Sequence, residues 1–297
     1  IQVIVNKSWE TSPVVEALVN PKFKAAVLPA PLMRNSPRAG TRGAFHVPRL
    51  AFEIAGVAVE VWCIEDQMAD GVSGSSTAEK ARVLPAIIDP VDDIALVLAV
   101  GTAGTIEPGR NGCVEVGGAF YMHAGVDPSN ENPWSGEIGG VSYLDRILDG
   151  RISSSLYEAW GLPDPTVVNK FLRPPGNPAP NQGVESNAVA VAVSDINIID
   201  YTRYTTQDAA AVAAARAAVG DRPLYSIETT HGVIAAVAMS RTSAAVGFVS
   251  GITDSLGHFG DDVGPHPEAQ NFSAAFNAGV YLANVLVPLA EAVAAGA

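Results

Sequence analysis

Cysteine is nearly absent. Only Cys63 and Cys113 occur, far apart and in no Cys-x-x-Cys pattern, which excludes a disulfide scaffold and a Cys-rich zinc site. They read either as two buried thiols or as a single bridge. Positive charge is scarce as well: 18 Lys+Arg stand against 31 Asp+Glu, a net charge of −13. Sequence-independent binding to DNA or RNA needs basic surface to displace phosphate counterions, so no nucleic-acid partner is expected. An anionic membrane surface is disfavoured for the same reason. No stretch reaches the roughly 18 to 20 uninterrupted apolar residues of a spanning helix. The five histidines, His46, His123, His231, His258 and His266, show no HExxH or other ligand spacing, so no metal is expected. Gly71–Ser76 lacks the GxSxG frame of an α/β-hydrolase. Residues 101–104 do not form GxGxxG, and no acid is placed for the ribose of a dinucleotide, so no cofactor is expected.

What is present is core-forming material: 48% of the 297 residues are hydrophobic and 16% are charged. That excludes disorder and suits one large α/β domain or two small ones. Residues 1–5, mostly β-branched, predict a buried strand, and a short helix follows near 14–18 with Pro13 in its first turn. Residues 30–50, with Arg34, Arg38, Arg42 and Arg49 among prolines and glycines, read as a loop. Two strand-like runs in 51–64 meet at Gly56, and residues 78–88 predict a helix. The run 94–100 is apolar throughout, the pattern of a strand buried on both faces of a parallel sheet. The proline-rich stretch 127–185 reads as an irregular, lid-like insertion in a single domain spanning 1–297. Order resumes with a strand at 188–193, helices at 206–219 and 230–241, a strand at 245–250 and a long helix at 268–294. This alternation predicts a three-layer αβα sandwich around a central mixed sheet.

Three features carry chemistry. Gly101-Thr102-Ala103-Gly104 follows a buried strand and reads as a turn, where glycines let backbone approach a ligand and a hydroxyl can orient an anion or water. Glu228, in Ser226-Ile227-Glu228-Thr229-Thr230-His231-Gly232, opens an apolar helix, where a carboxylate also serves as a simple cap. Asp254, in Ser250-Gly251-Ile252-Thr253-Asp254, follows a buried strand at the end where open α/β sheets place ligands, although an acid there also suits an ordinary turn.

In this order the set resembles the nucleoside phosphorylase and nucleosidase superfamily, which includes purine nucleoside phosphorylase, uridine phosphorylase and methylthioadenosine nucleosidases. The resemblance covers most of the chain outside 127–185. Ile227 stands where many members have Met, and the interval from Glu228 to Asp254 is slightly long. The resemblance implies cleavage of a nucleoside N-glycosidic bond, with Asp254 protonating the departing base and Glu228 binding the ribose hydroxyls. Gly101, Thr102 and nearby amides would hold the nucleophile, Ile227 would belong to the substrate-binding set, and Asn197, in 194–199, would read the base edge. Phosphorylases of the group carry an arginine where this chain has Ala99, and another in the first loop, which has none here. The nucleosidases carry a water-activating Glu in that loop, and Glu10 matches it, although Ser250 stands where they tend to have Arg. Water is therefore the expected nucleophile. The alternatives are phosphorolysis, with Arg34, Arg38 or Arg42 supplying the cation, and a non-catalytic nucleoside-binding or storage protein on the same fold. The resemblance further implies a homo-oligomer with a small-molecule nucleoside partner, and phosphate as a second ligand in the phosphorolytic case. A cytoplasmic location is expected; because Ile1 is not an initiator Met, a processed periplasmic or secreted form stays open.

Overall fold

The computed structural model describes residues 1–20, 32–38, 45–64, 84–85, 87–90, 93–107, 109–123, 137–138, 141–142, 145–161, 183–186, 188–193, 201–223, 226–256, 258 and 267–296. The centre of the fold is set by β5 (Leu96–Thr105), which is parallel to β1 (Gln2–Val5) on one side and to β14 (Ala245–Ser255) on the other. Both faces of β5 are covered, which explains its unbroken apolar run. Leu96, Leu98 and Val100 pack into the cluster shared with α1 (Ser8–Val19) and α5 (Pro267–Ala294), while Val97 and Ala99 pack with α4 (Thr229–Arg241). The result is the expected αβα layering about a mixed sheet. Beyond β1 the sheet continues through β4 (Val57–Cys63), β3 (Phe45–Ile54) and β2 (Leu32–Arg38).

On the other side the strands close into a ring. β5 pairs with β14, and β14 with β6 (Val114–Gly117). Gly118 joins β6 to β7 (Ala119–His123). β7 pairs with β12 (Val189–Val193), β12 with β13 (Ser226–Ile227), and β13 returns to residues 104–105 of β5. Short strands β8 (Glu137–Ile138) and β9 (Val141–Ser142) pair with each other. β10 (Arg146–Asp149) joins the sheet through β7, and β11 (Val184–Glu185) through β6. Helix α2 (Ser154–Trp160) sends Trp160 beneath Gly247, where any Cβ would collide with the indole ring, and its carbonyl accepts a 2.6 Å hydrogen bond from the Tyr281 hydroxyl. Helix α3 (Tyr201–Val219) packs Val212, Ala215 and Val219 on the outer face of β7 and β12, and Gly220 ends it at φ +65°.

Several expectations need correction. The first helix is longer than the apolar pattern suggested and holds Pro13 in its interior. The arginine-bearing region is not wholly loop: Arg34 and Arg38 lie in β2 and Arg49 in β3, whereas Arg42 lies outside the described residues. Arginine and proline lowered the apparent strand signal, but the β3–β4 hairpin, turned by Ala55 and Gly56 at φ 52° and 77°, gives β3 its partner. Most of the predicted 78–88 helix lies outside the described residues. The Gly101–Gly104 segment is strand rather than turn, because β14 continues to pair with it as far as Ser255. Cys63 and Cys113 are buried free thiols. Helix α5 is long and apolar enough to cross a membrane by length and composition; its apolar window is 72% buried, packed against α1, β14 and β5. Gly279 permits the close approach to α1: a Cβ there would lie 2.8 Å from Val14 Cα.

Candidate active site

The site grows out of residues 101–104. Glu10 is the third residue of α1, and its carboxylate folds back to accept from the Lys7 backbone N–H at 2.8 Å, capping the helix. The other oxygen, Oε1, accepts from the Thr102 N–H at 2.7 Å and from the Thr102 hydroxyl at 2.5 Å. This contact needs Gly101, because a Cβ there would stand 3.0 Å from Oε1. A helix start near the N-terminus is thus locked to a strand 92 residues away. Thr102, expected to hold the nucleophile itself, commits both its N–H and its hydroxyl hydrogen to Glu10, and only its hydroxyl lone pairs remain to receive a hydrogen bond.

Glu10 is 2% exposed. Burial disfavours its charged form, the negative charge of Glu228 adds to that, and the Thr102 and Lys7 hydrogen bonds only partly compensate, so its pKa rises from 4.5 to about 7. The charge of Glu228 is thus felt at Glu10. Glu228 is the N-cap of α4 and accepts from Thr230 N–H at 2.8 Å, while its own N–H donates to Val191 O at 3.1 Å. The cap role and a ligand role are compatible, since Glu228 is half-buried and has a second carboxylate oxygen. Ile227, 4% exposed, pairs with Gly104 across β13 and β5 and packs toward α3.

Asp254 lies within β14 rather than after it. A register shift between Ile252 and Asp254, a β-bulge, turns Asp254 toward Gly104, where a Cβ would contact its Oδ2 at 3.4 Å. The Thr253 hydroxyl lies 2.6 Å from Asp254 Oδ1 and 3.2 Å from Ala103 O. Gln270 of α5 donates to Thr253 O at 2.5 Å and braces the bulge. Residues 101–104 therefore meet Glu10 at one end and Asp254 at the other, with Glu228 following the strand paired to Gly104. Asn197 lies outside the described residues. Among the described residues no group of three or more His, Cys, Asp or Glu is arranged to hold a metal ion.

Sequence reasoning missed the supporting polar groups. Thr253, Gln270, Ser226 and His231 have no spacing signal, because they act through contacts between distant strands and helices. Cation supply is also clearer from the structure. Arg110, just beyond β5, lies 3.1 Å from buried Glu115, 3.6 Å from Glu185 and 3.8 Å from Glu107. Burial lifts Glu115 to a pKa of about 8, against the lowering pull of Arg110.

No family model and no curated protein matches the chain. Solved structures match closely in extent. A putative 5′-methylthioadenosine/S-adenosylhomocysteine nucleosidase from Borrelia burgdorferi, bound to adenine, superposes with a TM-score of 0.57 at 12% identity over 96% of this chain and 99% of that one. The corresponding nucleosidase from Colwellia psychrerythraea, also with adenine, gives 0.56 at 15% identity over 97% and 95%. An S-adenosylhomocysteine nucleosidase from Streptococcus pyogenes, in complex with 5-methylthiotubericidin, gives 0.57 at 11% over 97% and 96%. The chain shares the fold of these nucleosidases.

Proposed function

We infer that the chain hydrolyses the N-glycosidic bond of a nucleoside. The observation that carries this reading is the buried Glu10 carboxylate, pinned by Thr102 and Lys7 and titrating at about 7. A general base works best when its pKa lies near the working pH, and Glu10 meets that condition. In its ionised form it accepts a proton from a water molecule attacking the anomeric carbon. Glu228 accepts hydrogen bonds from the ribose hydroxyls, and its charge favours the positive charge that develops on the sugar. Asp254 gives the departing base its proton, converting a poor leaving group into a neutral one.

Water is favoured over phosphate by the charge of the site. The charge of Glu228 already bears on Glu10 there. The buried position that would carry a phosphate arginine is Ala99, 0% exposed. Arg110 is already engaged by Glu107, Glu115 and Glu185. A phosphate dianion would face desolvation and repulsion with backbone and hydroxyl donors alone to offset them. The test is a nucleoside panel in phosphate-free buffer with chromatography for released base. It begins with 5′-methylthioadenosine and S-adenosylhomocysteine, the compounds named for the structural neighbours. Release of base supports the reading, and tight binding without release means a non-catalytic binder.

A further inference from the structure

Ser226, Ser250 and His231 meet inside the strand ring. The Ser226 hydroxyl donates to Ser250 Oγ at 2.9 Å, and Ser250 Oγ lies 3.2 Å from His231 Nδ1. Ser226, Ser250 and His231 are each 0% exposed. With Ser226 as donor, the Ser250 hydrogen points to His231 Nδ1 in the tautomer that carries its proton on Nε2, and Ser250 Oγ accepts from Nδ1–H in the other. The His231 ring also stacks on Phe248 at 6.0 Å, so it is fixed by packing as well as by the hydrogen bond.

The position of this chain of bonds is what matters. Ser226 opens β13, two residues before Glu228, and His231 sits in the first turn of α4, three residues after it. Glu228 is the single residue between those elements, so both of its flanks are tied to one hydroxyl. That hydroxyl belongs to β14, the strand that delivers Asp254, and Ser250 is paired in register with Gly101, against which Glu10 rests. A buried polar chain is a costly substitute for apolar packing unless all its members are satisfied, and each half-satisfied state is worse. The same core volume elsewhere in the ring is filled by Phe120, Phe248, Ala99 and Val97.

We propose that Ser226, Ser250 and His231 form a positioning brace that holds Glu228 in register with the strands bearing Asp254 and Glu10, with Ser250 as its hub. This rests on the reading of Glu228 as the ribose-binding carboxylate. The three residues are positioning residues and touch no substrate. A ligand that gains much of its binding through Glu228 depends on the brace; one that lacks the partner hydroxyl depends on it less.

The experiment compares a riboside with its 2′-deoxyriboside in wild type, Ser250→Ala, Ser226→Ala, Ser226→Thr and Glu228→Ala. Loss of one hydrogen bond that aims a charged group is expected to lower riboside kcat/KM by roughly 3- to 10-fold, with the 2′-deoxyriboside changed by less than about 2-fold. Ser226→Thr, which restores a hydroxyl, returns the sugar preference to within about 2-fold of wild type. In the Glu228→Ala background, Ser226→Ala adds no further loss of preference, the non-additivity expected of groups acting as one unit. If Ser250→Ala does not fold, Ser226→Ala, which keeps the Ser250–His231 contact, supplies the same comparison. Equal losses on both sugars, or additive losses with Glu228→Ala, overturn the brace while leaving the hydrolase reading standing. A wild type that releases base from no nucleoside overturns the hydrolase reading and the brace with it.

Discussion

Replacing Glu10 with glutamine should remove activity and stabilise the protein at neutral and alkaline pH but not at acid pH. Glu10 titrates at about 7 in the fold against 4.5 ordinarily, so the native state binds this proton more tightly than the unfolded chain does. Its contribution to stability is therefore greatest below pH 4.5 and falls as pH rises through the window from 4.5 to about 7. At roughly 1.4 kcal/mol per pH unit, the ionised carboxylate costs the fold about 3 kcal/mol at pH 8. That figure already sets the Thr102 and Lys7 hydrogen bonds against burial and the charge of Glu228. Glutamine removes the charge and keeps one oxygen to accept from Thr102, but its NH2 cannot accept from the Lys7 N–H, and the lost cap offsets about 1 kcal/mol of the gain. Glu10→Gln should then gain about 2 kcal/mol at pH 8, close to 3 °C in Tm for a chain of this size, and almost nothing at pH 5, where the smaller charge relief is cancelled by the lost cap. Calorimetry at the two pH values reads the difference directly, and a base-release assay on the same samples should show a loss of about 10² or more. An equal Tm change at both pH values would refute the claim that Glu10 carries a buried charge. A variant that keeps most of its activity would refute its role as base.

The other predictions use the same geometry. Wild-type kcat/KM should rise with pH on an acid limb near 7, falling about tenfold per unit below it, and Glu228→Gln should move that limb to lower pH by removing a charge that raises Glu10; a limb that stays in place contradicts the pairing. Asp254→Asn should slow substrates with poor leaving bases by about 10² to 10⁴ and an activated leaving group far less, and equal losses would remove Asp254 from the acid role. Gly101→Val should push Glu10 off Thr102, since even a Cβ would stand 3.0 Å from its carboxylate, and the acid limb should shift with the loss of those hydrogen bonds. Glu228→Ala should weaken ribosides by the equivalent of about 1.5 to 3 kcal/mol in kcat/KM and 2′-deoxyribosides by less, as a lost charged hydrogen bond requires.

Much of the layering was legible because β5, β12 and β14 are short apolar runs with strand lengths, and α4 and α5 follow recognisable starts. The extent of β5 and β14 was not legible. Small residues such as Gly101, Ala103 and Gly104 look like a turn when read alone, and only the partner strand, contributed some 150 residues later, keeps them extended. β2 and β3 were hidden for a related reason: their arginines and prolines interrupt the apolar pattern, and only the pairing of β3 between β4 and the edge strand β2 makes them strands. Within the site, Glu228 stands at the start of α4, and Asp254 followed an apolar run that looked like a complete strand, so both could be singled out. Glu10 was found by its place in the segment after β1, which the sequence read as a loop and the structure makes the first turn of α1, but its bond to Thr102 was invisible, because nothing local encodes a contact across 92 residues. Ser226, Ser250 and His231 were invisible for the same reason.

The choice of nucleophile is tested most directly by identifying the sugar product. A cleaved nucleoside, incubated with the protein with and without inorganic phosphate, is followed by proton and phosphorus NMR. Glu10 beside Thr102 and Glu228, with Ala99 buried at the expected cation position, predicts free ribose in both samples at equal rates. Base release that requires phosphate, with ribose 1-phosphate appearing, would contradict the account.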